Sequence, residues 1–177
     1  MERPDFAVKI PRVDAPARGG YVFDADSEES EGGIYHLHGH AKIEVFDATF
    51  RADDAEYDEN TKIFTAHGNV YYRNYERNEV IYCDRAEYNS ETGHGTFYHV
   101  KGYTKTKVVA RQGVLTTQEP FYFEAQWAEK LEEKYILHEG IITDCHIPNP
   151  WWTMNAHRWE IIPEDHEIGR ASCRERV

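Results

Sequence analysis

RADDAEYDENTKIFTAHGNVYY (Arg51–Tyr72) is followed closely by YCDRAEYNSETGHGTFYHVKGY (Tyr82–Tyr103). The two stretches share one order of parts: a small residue (Ala52 or Cys83), carboxylates, Ala-Glu-Tyr, a polar turn, and an aromatic run containing Val70 or Val100. The turns YDENTK and YNSETGHG are rich in Asn, Asp, Ser and Gly, the residues that close hairpins. Each stretch therefore reads as one hairpin. Aligning Gly39, Gly68 and Gly140, with Val70 matched to Val100, yields fainter copies in YVFDADSEESEGGIYHLHGHAKI and FYFEAQWAEKLEEKYILHEGIIT. The count is roughly four or five units at a period near 30, the mark of a concatenated antiparallel array.

Periodicity extends that reading outward. Leu37, Gly39, Ala41, Ile43 and Val45 alternate with His36, His38, His40, Lys42 and Glu44, as in a half-buried strand. After a parity change, Phe46, Ala48, Phe50 and Ala52 alternate in the same way, which predicts a turn or bulge near Val45. Further strands are predicted at Phe64–Tyr72, Glu79–Tyr88, Gly95–Tyr103, Lys107–Ala110, Phe121–Ala128, Tyr135–Thr143 and Met154–Ile161. QWAEKLEEKY has a helical spacing at Trp127, Leu131 and Tyr135, but the repeat places a turn at that phase, so strand and turn are preferred. The expected inward set is Ala41, Ile43, Phe50, Ala52, Val70, Tyr72, Cys83, Val100, Phe121, Phe123 and Ala125. Two sheets with such inner faces ordinarily close into a packed sandwich; an open groove needs the same residues, and the residues alone leave both open.

Composition excludes several roles. A chain of 177 residues can bury a core, and 14% aromatic with 29% charged residues places it in the globular class. The net charge of -12 argues against a sequence-independent grip on nucleic acid and against docking on an anionic membrane surface. No apolar run approaches a membrane span, and MERPDFAVKIPRVDAPARGG lacks the apolar core of a signal peptide. Residues 1–20 read as an irregular segment, 21–167 as the domain, and IGRASCRERV (168–177) as a non-native tail resembling a sequencing adapter, which removes Cys173 from any disulfide argument.

Other constellations have bland explanations. His36, His38 and His40 share a strand face and could bind a metal in the manner of a cupin-like β-sandwich enzyme, but that face is the solvated one and no acidic ligand is placed beside them by the spacing. Asp53 with Asp54, Asp84 with Glu87, and Glu56 with Asp58 recur with the repeat, so turn chemistry and an outward face account for them better than a calcium loop or a glycosidase pair. Asp24, Asp26, Glu28, Glu29 and Glu31 read as a solvated loop. Cys83 reads as a small buried residue, and Cys145 as a loop thiol. No nucleophilic triad or phosphate loop is present in the sequence.

The phrase ADDAEYD, turn, TAHGNVYY, then CDRAEYN, turn, GTFYHVKGY, closing with IITDCHIPNPWWTMNAHRWEI, resembles the OstA-like domain of lipopolysaccharide transport proteins over about Tyr21–Asp165. The repeat phrase is shared by LptA and LptC; Cys145–Trp152 followed by AHRWEI tilts the likeness towards the periplasmic N-terminal part of LptD, with a free-standing LptA-like bridge as the alternative. The resemblance implies an all-β, antiparallel β-jellyroll with two sheets in an open V, and no catalysis or cofactor. It implies that lipopolysaccharide acyl chains lie against Ala41, Ile43, Phe50, Ala52, Val70, Tyr72, Val100, Phe121, Phe123 and Ala125. Holding them needs no charge contact, since each buried CH₂ is worth about 0.8 kcal/mol. Implied partners are other Lpt proteins joined edge to edge: an LptA-like bridge, the LptD barrel and LptE. The implied location is the periplasm, attached to the outer membrane. In that family the cysteine matching Cys145 pairs with the barrel, so Cys145 is expected here to be accessible, unpaired and distant from Cys83. With an open groove, Phe50→Asp is expected to cost transport rather than folding.

Overall fold

The computed structural model describes residues 15–76, 79–104, 121–131, 134–145 and 149–161. They form strands and turns: β1 (Tyr21–Asp24), β2 (Ser27–Glu31), β3 (Ile34–Val45), β4 (Ala48–Asp58), β5 (Ile63–Asn74), β6 (Glu79–Asn89), β7 (Gly95–Thr104), β8 (Phe121–Lys130), β9 (Tyr135–Thr143) and β10 (Met154–Ile161). All pairings are antiparallel between chain neighbours, from β3 through β10, and β1 and β2 lie end to end along the outer edge of β3. The sheet is open, with β1 and β2 at one edge and β10 at the other. The predicted strand in QWAEKLEEKY is β8, after which Leu131 and Lys134 exchange backbone hydrogen bonds ahead of β9, and the turn near Val45 is Phe46–Asp47 between β3 and β4. Lys107–Ala110 and the tail 168–177 lie outside the described residues.

Two expectations are corrected. The acidic run is not simply a loop: Ser27–Glu31 is strand β2, paired with His38–Ile34 and exposed throughout. A charged strand belongs at an edge, where it disfavours pairing with other chains. Gly140 is not the equivalent of Gly39 and Gly68. The left-handed residues His40, Asn69, His99 and Glu139 (φ 50°, 45°, 53° and 51°) fix the true phase. Gly140 follows Glu139 and so corresponds to Ala41, Val70 and Val100, while Tyr98 and His138 stand where Gly39 and Gly68 do.

Those left-handed residues mark a crease that crosses the whole sheet. In β4 the buried residues Ala52 and Ala55 flank exposed Asp53 and Asp54; β6 repeats this with Cys83 and Ala86 about Asp84 and Arg85, and β8 with Ala125 and Ala128 about exposed Gln126 and half-buried Trp127. A regular strand puts residues three apart on opposite faces. Burying both requires the strand to bend between them, and the register irregularities at His38/Ala41, Arg51/Asp54 and His67/Val70 lie on the same line. The sheet folds along this line, bringing one half (Ala41–Val45, Ala48–Ala52, Val70–Asn74, Glu79–Cys83 and their continuations) over the other (Ile34–His38, Asp54–Asp58, Ile63–His67, Arg85–Asn89 and theirs). Phe50 on β4 and Tyr88 on β6 are separated by β5, yet their rings lie 5.1 Å apart; Tyr21 and Tyr57, separated by β3, lie 4.7 Å apart. Only opposed inner faces allow that. The result is a jellyroll-like sandwich made from a single creased sheet.

Candidate functional site: the wedge between the half-sheets

The crease gives the interior the cross-section of a wedge. Beside it, the halves converge and small side chains predominate: Ala41, Ala52, Cys83, Ala125 and Gly140 on one side, Ala55, Ala66, Ala86 and Ala128 on the other, with Val70 and Val100 in the first row and Leu37, Phe97 and Leu137 in the second. One step further out the gap widens and takes Ile43, Phe50, Tyr72, Ile81 and Phe123 against Tyr57, Phe64 and Tyr88. The repeated phrase is thereby explained. Ala-x-x-Ala is the crease, and the aromatic two or three residues away is the wall of the wedge.

The residues expected to contact lipid are placed as follows. Ala41, Ile43, Phe50, Ala52, Val70, Tyr72, Val100, Phe123 and Ala125 are all buried in this interior, and Phe121 is half-buried at its rim. The interior is filled by its own side chains: Phe50 meets Tyr72 at 4.7 Å and Phe64 at 6.3 Å, and Tyr57 stacks on Phe64 at 4.3 Å. Tyr72 is enclosed enough that burial holds its hydroxyl well above the usual tyrosine range. The expectation for Phe50→Asp changes accordingly, because a charge at a packed, 2% exposed position has no water to hydrate it. Loss of fold is the expected consequence.

The wedge has a mouth. A cavity of about 260 Å³ opens between Gly19–Tyr21 and Val45–Asp47 on one rim and Tyr57, Lys62, Tyr88, Ser90 and Glu91 on the other. Phe46 stands there 38% exposed. Sequence reasoning missed this mouth, because Tyr21, Tyr57 and Tyr88 come from three strands and only the fold over the crease gathers them. The second rim is built from repeated turns: Asp58 accepts from the Asn60 amide (2.8 Å) and the Thr61 hydroxyl (2.9 Å), and Asn89 accepts from the amides of Glu91 (3.0 Å) and Thr92 (2.9 Å). The Asn60 amide and the Thr61 hydroxyl hold the Asp58 carboxyl below its usual range.

Outside the crease lies a shallow trough of about 800 Å³ with a mixed lining that includes Asn69, Tyr71, Tyr82, Asp84, His99, Lys101, Glu124 and Glu139. Polar pairs run along it and beyond: His40 with Asp26 (2.8 Å), Asn69 with Asp53 (2.9 Å), His99 with Asp84 (3.0 Å) and His157 with Glu139 (2.8 Å). Each ties a left-handed crease residue to the neighbouring strand. The Asp26 carboxylate raises the His40 pKa. His36, His38 and His40 do face outward, but the structure supplies what the spacing did not: each turns Nδ1 to a different carboxylate, Glu56 (3.1 Å), Asp54 (3.0 Å) and Asp26 (2.8 Å). The acidic pairs Asp53/Asp54, Asp84/Glu87 and Glu56/Asp58 are likewise divided among separate partners, and among the described residues no three ligands converge on a metal position.

Cys83 lies beside the crease, and burial pushes its thiol up to about 12. Cys145 is also free, but it is 9% exposed rather than accessible. Its amide donates to Thr143 Oγ1 (3.0 Å), and Thr143 in turn donates to the Trp152 carbonyl (2.8 Å), which brings Trp152 back to the end of β9. The expected accessibility of Cys145 is thus corrected: position in a loop does not by itself expose a side chain. Cys173 lies outside the described residues.

No protein-family model and no curated protein sequence matches the chain. Among solved structures it is similar to LptH, the LptA-homologous periplasmic component of the lipopolysaccharide transport device of Pseudomonas aeruginosa, at 16% identity and a TM-score of 0.48, over 62% of this chain and 74% of that one.

Proposed function

We propose that this chain is a periplasmic lipopolysaccharide-transport domain whose wedge takes up lipid acyl chains and passes them along the sheet towards the outer membrane. The observation that carries this reading is the continuity of the apolar rows. Beside the crease, the inward positions run Ala41, Ala52, Val70, Cys83, Val100, Ala125, Gly140 and Ala156, and the next row runs Ile43, Phe50, Tyr72, Ile81, Gly102, Phe123 and Ile142, uncharged from β3 to β10. Closing one globular core does not require such rows to reach both edge strands; a track handed from one module to the next does. The resemblance of the repeat phrase to the OstA-like domain points to the same ligand. The free edges of β1 and β10, rather than that of the charged β2, suit edge-to-edge partners by strand addition: an LptA-like bridge, the LptD barrel or LptE. Binding rests on hydrocarbon burial, at about 0.8 kcal/mol per CH₂, rather than on a basic patch.

The wedge is filled in this structure, so uptake requires the rims to part at the mouth near Tyr21, Tyr57 and Tyr88. An environment-sensitive fluorescent fatty acid tests this. The expected result is saturable binding that purified lipopolysaccharide displaces. Absence of binding, or binding that lipopolysaccharide leaves untouched, removes the assignment.

A further inference from the structure

Among the buried polar side chains of the described residues, Thr49, Asn74, Glu79, Lys130 and Thr143, the ionisable ones gather where β6, β8 and β9 meet. There Glu79 (1% exposed), on the half that carries Phe50 and Tyr72, faces Tyr135 (3% exposed) on the opposite half, and the Tyr135 hydroxyl donates to Glu79 Oε2 across 2.5 Å. Lys130, itself 4% exposed, sets its ammonium 5.4 Å from the Tyr135 ring centroid. The bonded residues stand 56 apart in the sequence and on strands that are not neighbours in the sheet. The bond therefore joins the two halves directly, far along the sheet from the aromatic contacts of β1 and β4.

A hydrogen bond from a neutral hydroxyl to a carboxylate is short and strong, and in a water-excluded interior it cannot be exchanged for water without opening the wedge. Aromatic contacts are different. The rings of Phe50, Tyr57 and Tyr88 slide over one another and trade readily for other hydrocarbon, whereas the Glu79–Tyr135 bond is either made or broken. We infer that Glu79 and Tyr135 form a polar latch that holds the half-sheets together and must release when the wedge opens. On the proposed function, with which the ligand part of this inference stands or falls, the latch sets how readily an acyl chain enters on the β6–β9 side.

Tyr135→Phe keeps the ring and removes only the hydroxyl; Glu79→Gln keeps an acceptor and removes the charge. Tyr35→Phe, which deletes a hydroxyl bonded to exposed Glu59 at 3.4 Å, is the control. Amide hydrogen exchange on the whole chain reads the latch without any ligand. Tyr135→Phe should speed exchange in Glu79–Cys83 and Tyr135–Leu137 by about tenfold or more, with β3 and β4 unchanged, and Glu79→Gln by less. Tyr35→Phe should leave those segments as in the wild type. Unchanged exchange in β6 and β9 overturns the latch, and so does a uniform rise across all strands, which denotes general destabilisation. The labelled fatty acid then separates the two ideas. Faster or tighter uptake by Tyr135→Phe supports a latch that gates the ligand. A local rise in exchange with no fatty-acid binding by either protein supports the latch as a structural device and removes the acyl-chain reading.

Discussion

Lys62 holds a left-handed backbone (φ 60°) at the same place in its turn that Gly93 (φ 70°) holds in the next repeat. A non-glycine residue there is strained by its Cβ, so Lys62→Gly should raise stability by about 0.5–1 kcal/mol in denaturant unfolding, the relief exceeding the entropy that glycine adds to the unfolded chain. Gly140 is the opposite case. Its backbone is ordinary, but a Cβ would lie 2.7 Å from the Glu124 carbonyl and 2.8 Å from the Ala125 Cβ, so Gly140→Ala should cost about 1–3 kcal/mol. The sequence suggested that Gly140 mattered and mistook the reason, because a glycine required for close approach and one required for positive φ look alike in a string of letters. Titration is also local. The Asp26 carboxylate lifts the fully exposed His40 above 6.5, so the pair's contribution is complete below that value and fades as pH rises through the folded pKa. A His40 resonance titrating above 6.5 in the wild type and falling back in Asp26→Asn checks the sign; an unaltered titration contradicts it.

Among the strands, the decisive feature is the three-residue spacing of buried small side chains. Alternation made the strands legible, and Tyr135–Thr143 and Met154–Ile161 were placed to the residue. The crease was not legible, because Ala-Asp-Asp-Ala shows as a brief fault in the period rather than as a signal, and its meaning lies in neighbouring strands sharing the fault in register. The strand view predicts that bulk is tolerated badly beside the crease. Ala55→Leu and Ala86→Leu, at positions 7% and 1% exposed, should each cost about 1–3 kcal/mol by thermal unfolding, more than leucine at outward Glu56 or Glu87. Equal costs at all four sites would show that the two halves do not converge there. The same bend explains why Asp26, Asp53 and Asp84 recur. Each bonds the side chain of a left-handed residue next to it in the sheet, His40, Asn69 or His99, and so braces the bend from outside.

At the scale of the whole molecule, one sheet forms both walls of its own interior, so the walls can part without breaking any strand pairing. Unlike two separate sheets, the halves stay joined through the strands that cross the crease while the mouth opens. This arrangement also fixes what a charge in the wedge does: Phe50→Asp should unfold the domain, costing upwards of about 4 kcal/mol, because the Phe64, Tyr72 and Tyr88 rings leave no water beside it. The inward set could be listed from the alternation alone, but whether it encloses a space or fills one depends on how far the crease closes, which no single residue specifies. The most direct measurement is photo-crosslinking from two adjacent positions on opposite faces of β4 during incubation with lipopolysaccharide: Phe50, whose ring points into the wedge, and Arg51, which is exposed outside. The account predicts a lipid adduct from a benzoylphenylalanine at position 50 and little or none from position 51; equal yields, or none from position 50 in a folded protein, would contradict it.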